Sequence, residues 1–418
     1  MSSNAMLWRT APLGEWPISF IDGDRSSKYP KRSELVAEGV PFLNSTNISN
    51  ATLGKHGLDC ITVEKAASIR KGKVQEGDIV MTTRGSIGKV AICPSWASGS
   101  VINAQMLLLR ADGVDLEAKY LFHALRSQPF QDRIKGFASG SAQPQIPMRD
   151  LKQIEFSAPD ILSQRRIVSI LSAYDDLIEN NTRRIEILEE MARRLYEEWF
   201  VQFRFPGHEE GVFENDMLPQ GWVYAQLSEI ASYISRGISP KYDEEASCRV
   251  INQKCIRNQR LDVQLSRRQN KKVPAEKLIQ LGDVLINSTG VGTLGRVAQV
   301  HEVLEDVTVD SHVTIARAGD SVDVDYFGST LLSLQHFFEL QGVGSTGQTE
   351  LSRSRIAEAN VIVPPYELQA QFGKLIRPMR VLGTWLAKKN SNLRAQRDLL
   401  LPKLISGEID VSDIPMPT

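Results

Sequence analysis

The residues in this chain that could do chemistry fall into two kinds. One comprises glycine-rich and acidic motifs of catalytic type; the other comprises polar turns set among clustered lysines and arginines. Gly290-Val291-Gly292-Thr293-Leu294-Gly295 has the spacing of a dinucleotide-binding loop. Such a loop needs a strand before it, a helix after it to receive the pyrophosphate, and an acid about 20 residues on. The segment after Gly295, Arg296-Val297-Ala298-Gln299-Val300, reads as a strand, so a glycine turn between two strands is expected. Glu117-Ala118-Lys119 could be half of a nuclease site, yet no suitable upstream carboxylate accompanies it. The histidines are dispersed without an H-x-x-x-H pair, and no G-x-S-x-G elbow occurs. Neither a metal site nor a catalytic residue is expected.

The polar turns point elsewhere. Arg249 to Lys272 holds eight Lys/Arg against the single Asp262, and Arg25, Lys28, Lys31 and Arg32, then Lys65, Arg70, Lys71 and Lys73, gather near the N-terminus. Interleaved with Asn, Gln, Ser and Tyr, they are the types that meet phosphates and base edges together; a solvated loop is the alternative. The candidate DNA-contacting residues are Arg25, Lys28, Asn44, Asn47, Thr83, Arg84, Ser86, Lys89, Ser141 and Gln143 in the first half. In the second half they are Asn252, Lys254, Arg257, Asn287, Ser288, Thr289, Arg296, Thr346 and Gln348. Arg84 could fork onto guanine O6 and N7, which a lysine would not reproduce. For each polar residue the competing role is a local turn hydrogen bond. Val363-Pro364-Pro365-Tyr366 resembles the Asn/Asp-Pro-Pro-Tyr of amino-methyltransferases, but Val363 cannot accept a hydrogen bond from a target amine. The prolines read better as the start of a helix.

These turns recur because the chain repeats itself. Gly77-Asp78-Ile79-Val80 returns as Gly282-Asp283-Val284-Leu285, a shift of 205, and Ile87-Gly88-Lys89-Val90-Ala91 returns as Leu294-Gly295-Arg296-Val297-Ala298, a shift of 207. Ser139-Gly140 with Gln143 answers Gly344-Ser345 with Gln348, Gln164 answers Gln369, and Trp16 pairs with Trp222. A repeat of this length makes each copy one structural unit. Asp78 to Met81, Lys89 to Cys93 and Ala104 to Leu109 read as strands. Each copy closes on a long helical seam: Ile167, Ile170, Tyr174, Leu177, Asn181, Ile185, Leu188, Ala192, Leu195 and Trp199 in the first, and Phe372, Leu375, Met379, Leu382, Leu386, Asn390, Leu393 and Leu400 in the second, where Pro402 ends or kinks it. A seam of roughly 60 Å, at 1.5 Å per residue, has to be covered. Residues 163–203 carry six Lys/Arg against eight Asp/Glu and residues 366–405 eight against two, a balance that favours pairing of the two helices over self-pairing. Packing of each helix on its own unit is the alternative. Asn181 and Asn390 either set register or mark a widened stretch of the seam.

Composition bounds the rest: 42% hydrophobic and 24% charged residues describe a globular chain, and a net charge of −1 excludes a uniformly basic nucleic-acid binder while leaving room for local patches. No apolar run approaches the roughly 20 residues that span a bilayer, and MSSNAMLWRT lacks the apolar core of a signal peptide, so a cytoplasmic protein is expected. Cys60, Cys93, Cys248 and Cys255 show no C-x-x-C spacing and read as core thiols rather than disulfides or zinc ligands.

Taken in order, the paired GDIV and GDVL segments with their glycine turns, Leu218-Pro219-Gln220-Gly221-Trp222, Glu197-Glu198-Trp199-Phe200-Val201, and Leu401-Pro402-Lys403-Leu404-Ile405-Ser406-Gly407-Glu408-Ile409 resemble the specificity subunit of Type I restriction-modification systems over essentially the whole chain. Where that family commonly has Glu-Gln ahead of the helix, this chain has Ser163-Gln164 and Leu368-Gln369. The resemblance implies an α+β fold of two tandem mixed α/β target-recognition domains, each followed by a long helix. The helices would pair as an antiparallel coiled coil with pseudo-twofold symmetry. The expected bounds are 1–159 and 206–364 for the two domains, 160–205 for the central helix, and 365–418 for the C-terminal helix and tail. It further implies a non-catalytic, sequence-specific DNA-binding subunit that recognises a split double-stranded target. Its partners would be two modification (methyltransferase) subunits and, where present, restriction subunits, which would bring S-adenosylmethionine, ATP and magnesium; this chain would hold no cofactor and no membrane contact. A self-sufficient DNA methyltransferase and a coiled-coil protein-interaction scaffold are the alternatives.

Overall fold

The computed structural model of the chain describes residues 8–415 apart from 50, 56, 139–143, 211–217 and 343–349. It divides into two compact units, residues 1–179 with 391–418, and residues 180–390. Both are built on the same sheet. In the first unit β1 (Ile18–Asp22), β2 (Ile79–Thr82), β3 (Val90–Ile92) and β4 (Met106–Ala111) form an antiparallel sheet in the order β1-β4-β2-β3. In the second unit β5 (Ala231–Arg236), β6 (Val284–Asn287), β7 (Val297–Gln299) and β8 (Val313–Ala318) repeat it as β5-β8-β6-β7.

The central strands read as unbroken apolar runs because both faces are covered. Side chains alternate across a strand. Ile79, Met81, Val90, Leu107 and Leu109 pack on one side with Tyr120, Leu121, Phe130 and Ile134 of the short helices that follow the sheet. Val80, Ala91 and Leu108 pack on the other with Leu43, Ile48, Val74 and Ile102. The second unit divides its strands in the same way, Val284, Ile286 and Val297 facing Phe327, Leu331 and Phe338, and Leu285, Ala298 and Ile315 facing Ile251, Cys255 and Val309.

The repeated Gly-Asp ahead of each central strand is a structural device. Gly77 and Gly282 take φ of +84° and +91°, which side chains rarely adopt. Each aspartate then accepts from a backbone N–H three residues back, Gln75 for Asp78 and Gln280 for Asp283, both at 2.8 Å. Each also accepts a two-pronged bond from an arginine of the neighbouring strand, Arg110 to Asp78 at 2.6 and 2.8 Å and Arg317 to Asp283 at 2.7 and 2.8 Å. These arginines are held above their ordinary pKa by that hydrogen bond.

The two long helices are α1 (Ile161–Tyr196), which passes into one wider π turn over Glu197–Val201, and α2 (Tyr366–Ser406). The latter starts directly behind Pro364-Pro365, as those residues suggest. In the first unit the early part of α1 meets the late part of α2: Ile167 and Leu171 share a core with Leu401, Leu404 and Val411, and Arg397 donates to Asp175 at 2.5 Å. In the second unit the late part of α1 meets the early part of α2: Ala192, Tyr196, Trp199 and Phe200 pack on Phe372 and Ile376, and Asn181 donates to Asn390 at 2.9 Å. The pairing is antiparallel in both.

Three expectations are corrected. Leu177 and Leu375 are not seam residues, being 47% and 48% exposed, whereas their neighbours Ile178 and Ile376 are 8% and 0% exposed. The buried residues Leu171, Ile178, Ile185, Ala192 and Trp199 recur every seven residues, as do Ile376, Asn390, Arg397 and Leu404 with one place between skipped, so Leu177 and Leu375 each lie one residue out of phase with the repeat. Pro402 does not end α2, which runs on to Ser406 because Leu401 and Leu404 are buried in the first unit's core. Nor do the opposite helix charges face mainly each other. Apart from Asp175 and Arg397, they meet the heads or their own helix: Glu189 takes Arg260, Arg377 and Arg380 take Asp325, and Lys388 takes Glu302, while Glu190 takes Arg193 and Arg194.

Candidate nucleic-acid interface

Each unit brings three turns together at one end of its central sheet. In the first unit they are residues 23–28, the glycine turn 83–89 and residues 103–105. Gly23 lies so close to the Asn103 carbonyl that a Cβ would sit 2.2 Å from its oxygen, so only glycine allows the approach. Arg25, exposed, donates to the Ala104 carbonyl at 3.3 Å and to Asp22 at 3.4 Å. Thr83 is clamped to the Gln105 carbonyl by its N–H at 2.9 Å and its hydroxyl at 3.0 Å. Thr82 closes the glycine turn, its hydroxyl donating to the Ser86 carbonyl at 2.5 Å and accepting from the Lys89 N–H at 3.0 Å. Held by this frame, Arg84, Ser86 and Lys89 are exposed, as is Lys28. Arg84 has no ion pair or hydrogen bond from its guanidinium among the described residues.

The second unit repeats the frame with the turn at Gly237, where an added Cβ would sit 1.9 Å from the Val309 carbonyl oxygen, the glycine turn 287–296 and residues 310–312, while residues 252–254, the counterpart of 44–46, pack against the glycine turn. Ser288 N–H donates to the His312 carbonyl at 2.8 Å, the counterpart of Thr83 with Gln105. Thr289 bridges Glu350 as Arg84 bridges Gln145. Asn287 Nδ2 donates to the carbonyls of Gln253 and Thr293, both at 3.1 Å, tying the turns to each other. Val297–Gln299 follows Gly295 as a strand, so the dinucleotide-like spacing is a turn between strands and offers no helix N-terminus to a pyrophosphate.

Several proposed contact residues are engaged by the fold instead. Asn47, Thr83, Asn287 and Ser288 are buried. Asn47 accepts from the Asn44 N–H at 2.9 Å, and Ser288 shares a 2.6 Å hydrogen bond with Thr314. Asn44 and Asn252 cap short 3-10 helices, accepting from Thr46 N–H and Lys254 N–H. Arg296 is half-buried and donates back to the Gly292 carbonyl at 2.7 Å. Thr289 is half-buried, while Lys254 and Arg257 are exposed. Ser141, Gln143, Thr346 and Gln348, with the Ser139-Gly140 and Gly344-Ser345 pairs, lie outside the described residues.

The basic run 249–272 is not one patch. Arg249 donates to Ser266, Arg260 to Glu189, Arg268 to the Ala246 carbonyl and Lys271 to the Ser239 carbonyl. Arg267 lies 3.5 Å over the ring of Tyr242. Alternation along a run of charges does not say which of them the fold engages. Sequence reasoning also passed over Gln105, Gln253 and His312, which sit on or against the same turns. The signal was available: Asp310-Ser311-His312 precedes its strand as Asn103-Ala104-Gln105 precedes the other.

Among the described residues no group of His, Cys, Asp and Glu could hold a metal ion, and no helix is long and apolar enough to cross a membrane.

With this geometry in view, the comparisons with known proteins agree. Residues 20–190 match the family model described as the Type I restriction modification DNA specificity domain. The MjaIX type I restriction enzyme specificity subunit of Methanocaldococcus jannaschii is 27% identical over 355 residues, 81% of this chain and 79% of that protein. The HindI specificity subunit of Haemophilus influenzae is 25% identical over 197 residues, 46% of this chain and 42% of that protein. The crystal structure of the type I restriction-modification S subunit from M. genitalium shares the fold at a TM-score of 0.60 and 20% identity, covering 96% of this chain and 97% of that one. The resemblance carried by the repeated motifs is therefore borne out: residues 20–190 match the type I specificity domain model, and the chain is similar to the MjaIX specificity subunit over 81% of its length.

Proposed function

We propose that the chain recognises a split sequence in double-stranded DNA and directs modification subunits, and restriction subunits where present, to it. Each unit reads one half-site, and the long helices set the unread gap. The chain itself performs no chemistry; S-adenosylmethionine, ATP and magnesium act on its partners, in the cytoplasm. One observation carries this reading. The two units share a sheet, a buried Asp–Arg brace and the same three-turn frame, yet differ in the side chains displayed on that frame. Arg84 stands where the other unit has Thr289, and Gln105 where it has His312. A constant scaffold with exchanged side chains is what two readers of different sequences require, since base contacts specify and phosphate contacts position. The similarity to proteins named specificity subunits supports the same reading.

The test is selection from a randomised duplex library by the chain assembled with its modification subunits. Two short preferred sequences at one fixed separation are expected. A single uninterrupted site, or no preference beyond a salt-sensitive affinity for any duplex, would contradict the proposal.

A further inference from the structure

In the second unit a chain of hydrogen bonds ends on an exposed imidazole. Gln253 Nε2 lies 3.1 Å from the Thr289 carbonyl and 2.7 Å from the Thr289 hydroxyl. A carbonyl only accepts, so the amide nitrogen must be the group facing Thr289. Because Gln253 donates into the hydroxyl, the hydroxyl proton is available to His312 Nδ1, 2.8 Å away. The hydroxyl's proton then has Nδ1 as its partner at this distance, an arrangement that favours Nδ1 as acceptor and the neutral ring's proton on Nε2. The base of the side chain is held as firmly: His312 N–H donates to Asp310 Oδ1 at 2.9 Å, and its carbonyl accepts from Ser288.

The fold does not require this side chain. In the first unit Gln105 makes the same backbone bonds, donating to Asn103 Oδ1 at 2.9 Å and accepting from Thr83, without such a relay among the described residues. An exposed ring whose orientation favours a proton on Nε2, on a preorganised turn that the scaffold alone would not demand, suits an acceptor on a base edge. In the major groove those acceptors are guanine O6 and N7, adenine N7 and thymine O4.

We propose that His312, oriented by Gln253 through Thr289, is a specificity-determining residue that donates from Nε2 to a base acceptor in the half-site read by the second unit. Arg84 and Gln105 occupy the corresponding positions for the other half-site. The inference rests on the DNA-reading function proposed above and adds the residue and the class of base atom.

The experiment repeats the library selection with the assembled complex, comparing wild type, His312→Ala and Thr289→Val. His312→Ala is expected to lower the preference at one base of one half-site by on the order of tenfold and leave the other half-site unchanged. Thr289→Val keeps the imidazole but removes its orienting hydroxyl, and should weaken the preference at the same base by a smaller factor. The unaltered half-site reports that the variants remain folded and assembled. Unchanged preferences at both half-sites for His312→Ala, or an equal loss on all duplexes, would overturn the role of His312 alone. A wild-type complex that selects no sequence would overturn the underlying function as well.

Discussion

A small number of buried charges hold the two units in shape, and their consequences can be measured one residue at a time. Asp78 is 1% exposed and receives both bonds of Arg110. Asp78→Ala would leave a half-buried guanidinium without its acceptor, so a loss of about 3 kcal/mol in the first unit's unfolding free energy is expected from denaturant titration. His123 is 2% exposed, and burial depresses its pKa to about 4, with Arg126, Arg397 and Lys119 adding to the effect and Asp175 opposing it. The unfolded state, with an ordinary histidine near pH 6.5, therefore binds the proton more readily than the folded one. The stability this group contributes is present above pH 6.5 and is lost as pH falls toward about 4. His301 adds to the same trend in the second unit, where burial and then Arg380 lower its pKa to about 3. His123→Phe should flatten part of the fall in denaturation midpoint between pH 6.5 and 4; an unchanged slope would show that His123 is not the source. At the surface, Arg84→Ala should relax one half-site and leave non-specific affinity nearly intact. An equal loss on random duplex would make Arg84 a phosphate contact.

The helices set the next scale. Asn181 and Asn390 are 5% and 2% exposed and bond across the second unit's helix pair, with Asn390 also donating to Thr182 at 3.2 Å. Asn181→Leu would leave buried amide groups of Asn390 without that partner, at a cost of about 1–3 kcal/mol in thermal or denaturant unfolding. Replacing both by Leu should recover much of that loss. A double variant no better than the single would argue against the pair as a unit. The strands were legible because runs such as Ile79–Thr82 are apolar on both faces, and the helices because their seams were long. The precise seam was not: where two apolar residues adjoin, Leu177 beside Ile178 and Leu375 beside Ile376, local pattern does not choose between them, and the heptad running through Ile185 and through Asn390 buries Ile178 and Ile376. Gln164 and Gln369 stood out only as a matched pair. In the structure each fastens its unit's first post-sheet helix to the long helix, accepting from Glu117 N–H and Asp323 N–H, respectively, at 2.9 Å. The candidate site was half legible. Exposed Arg84 followed from its turn, but nothing local distinguishes the inward Asn287 and Ser288 from an outward neighbour, and a lone His312 carries no pattern until the two units are laid side by side.

At the scale of the whole chain, duplication is the fact from which function follows. One frame present twice allows two independent sequence preferences, and under the proposed function the shared helices would give the target its separation. Deleting two heptads from both helices should shorten the unread gap and preserve both half-sites; altered half-sites with an unchanged gap would contradict that division of labour. The most direct test of independence is to exchange residues 218–362 for the corresponding part of a related specificity subunit. Methylated sites would then be mapped across a host genome by single-molecule sequencing. The account predicts that one half-site changes while the other half-site and the gap persist; a change in both half-sites, or in neither, would contradict it.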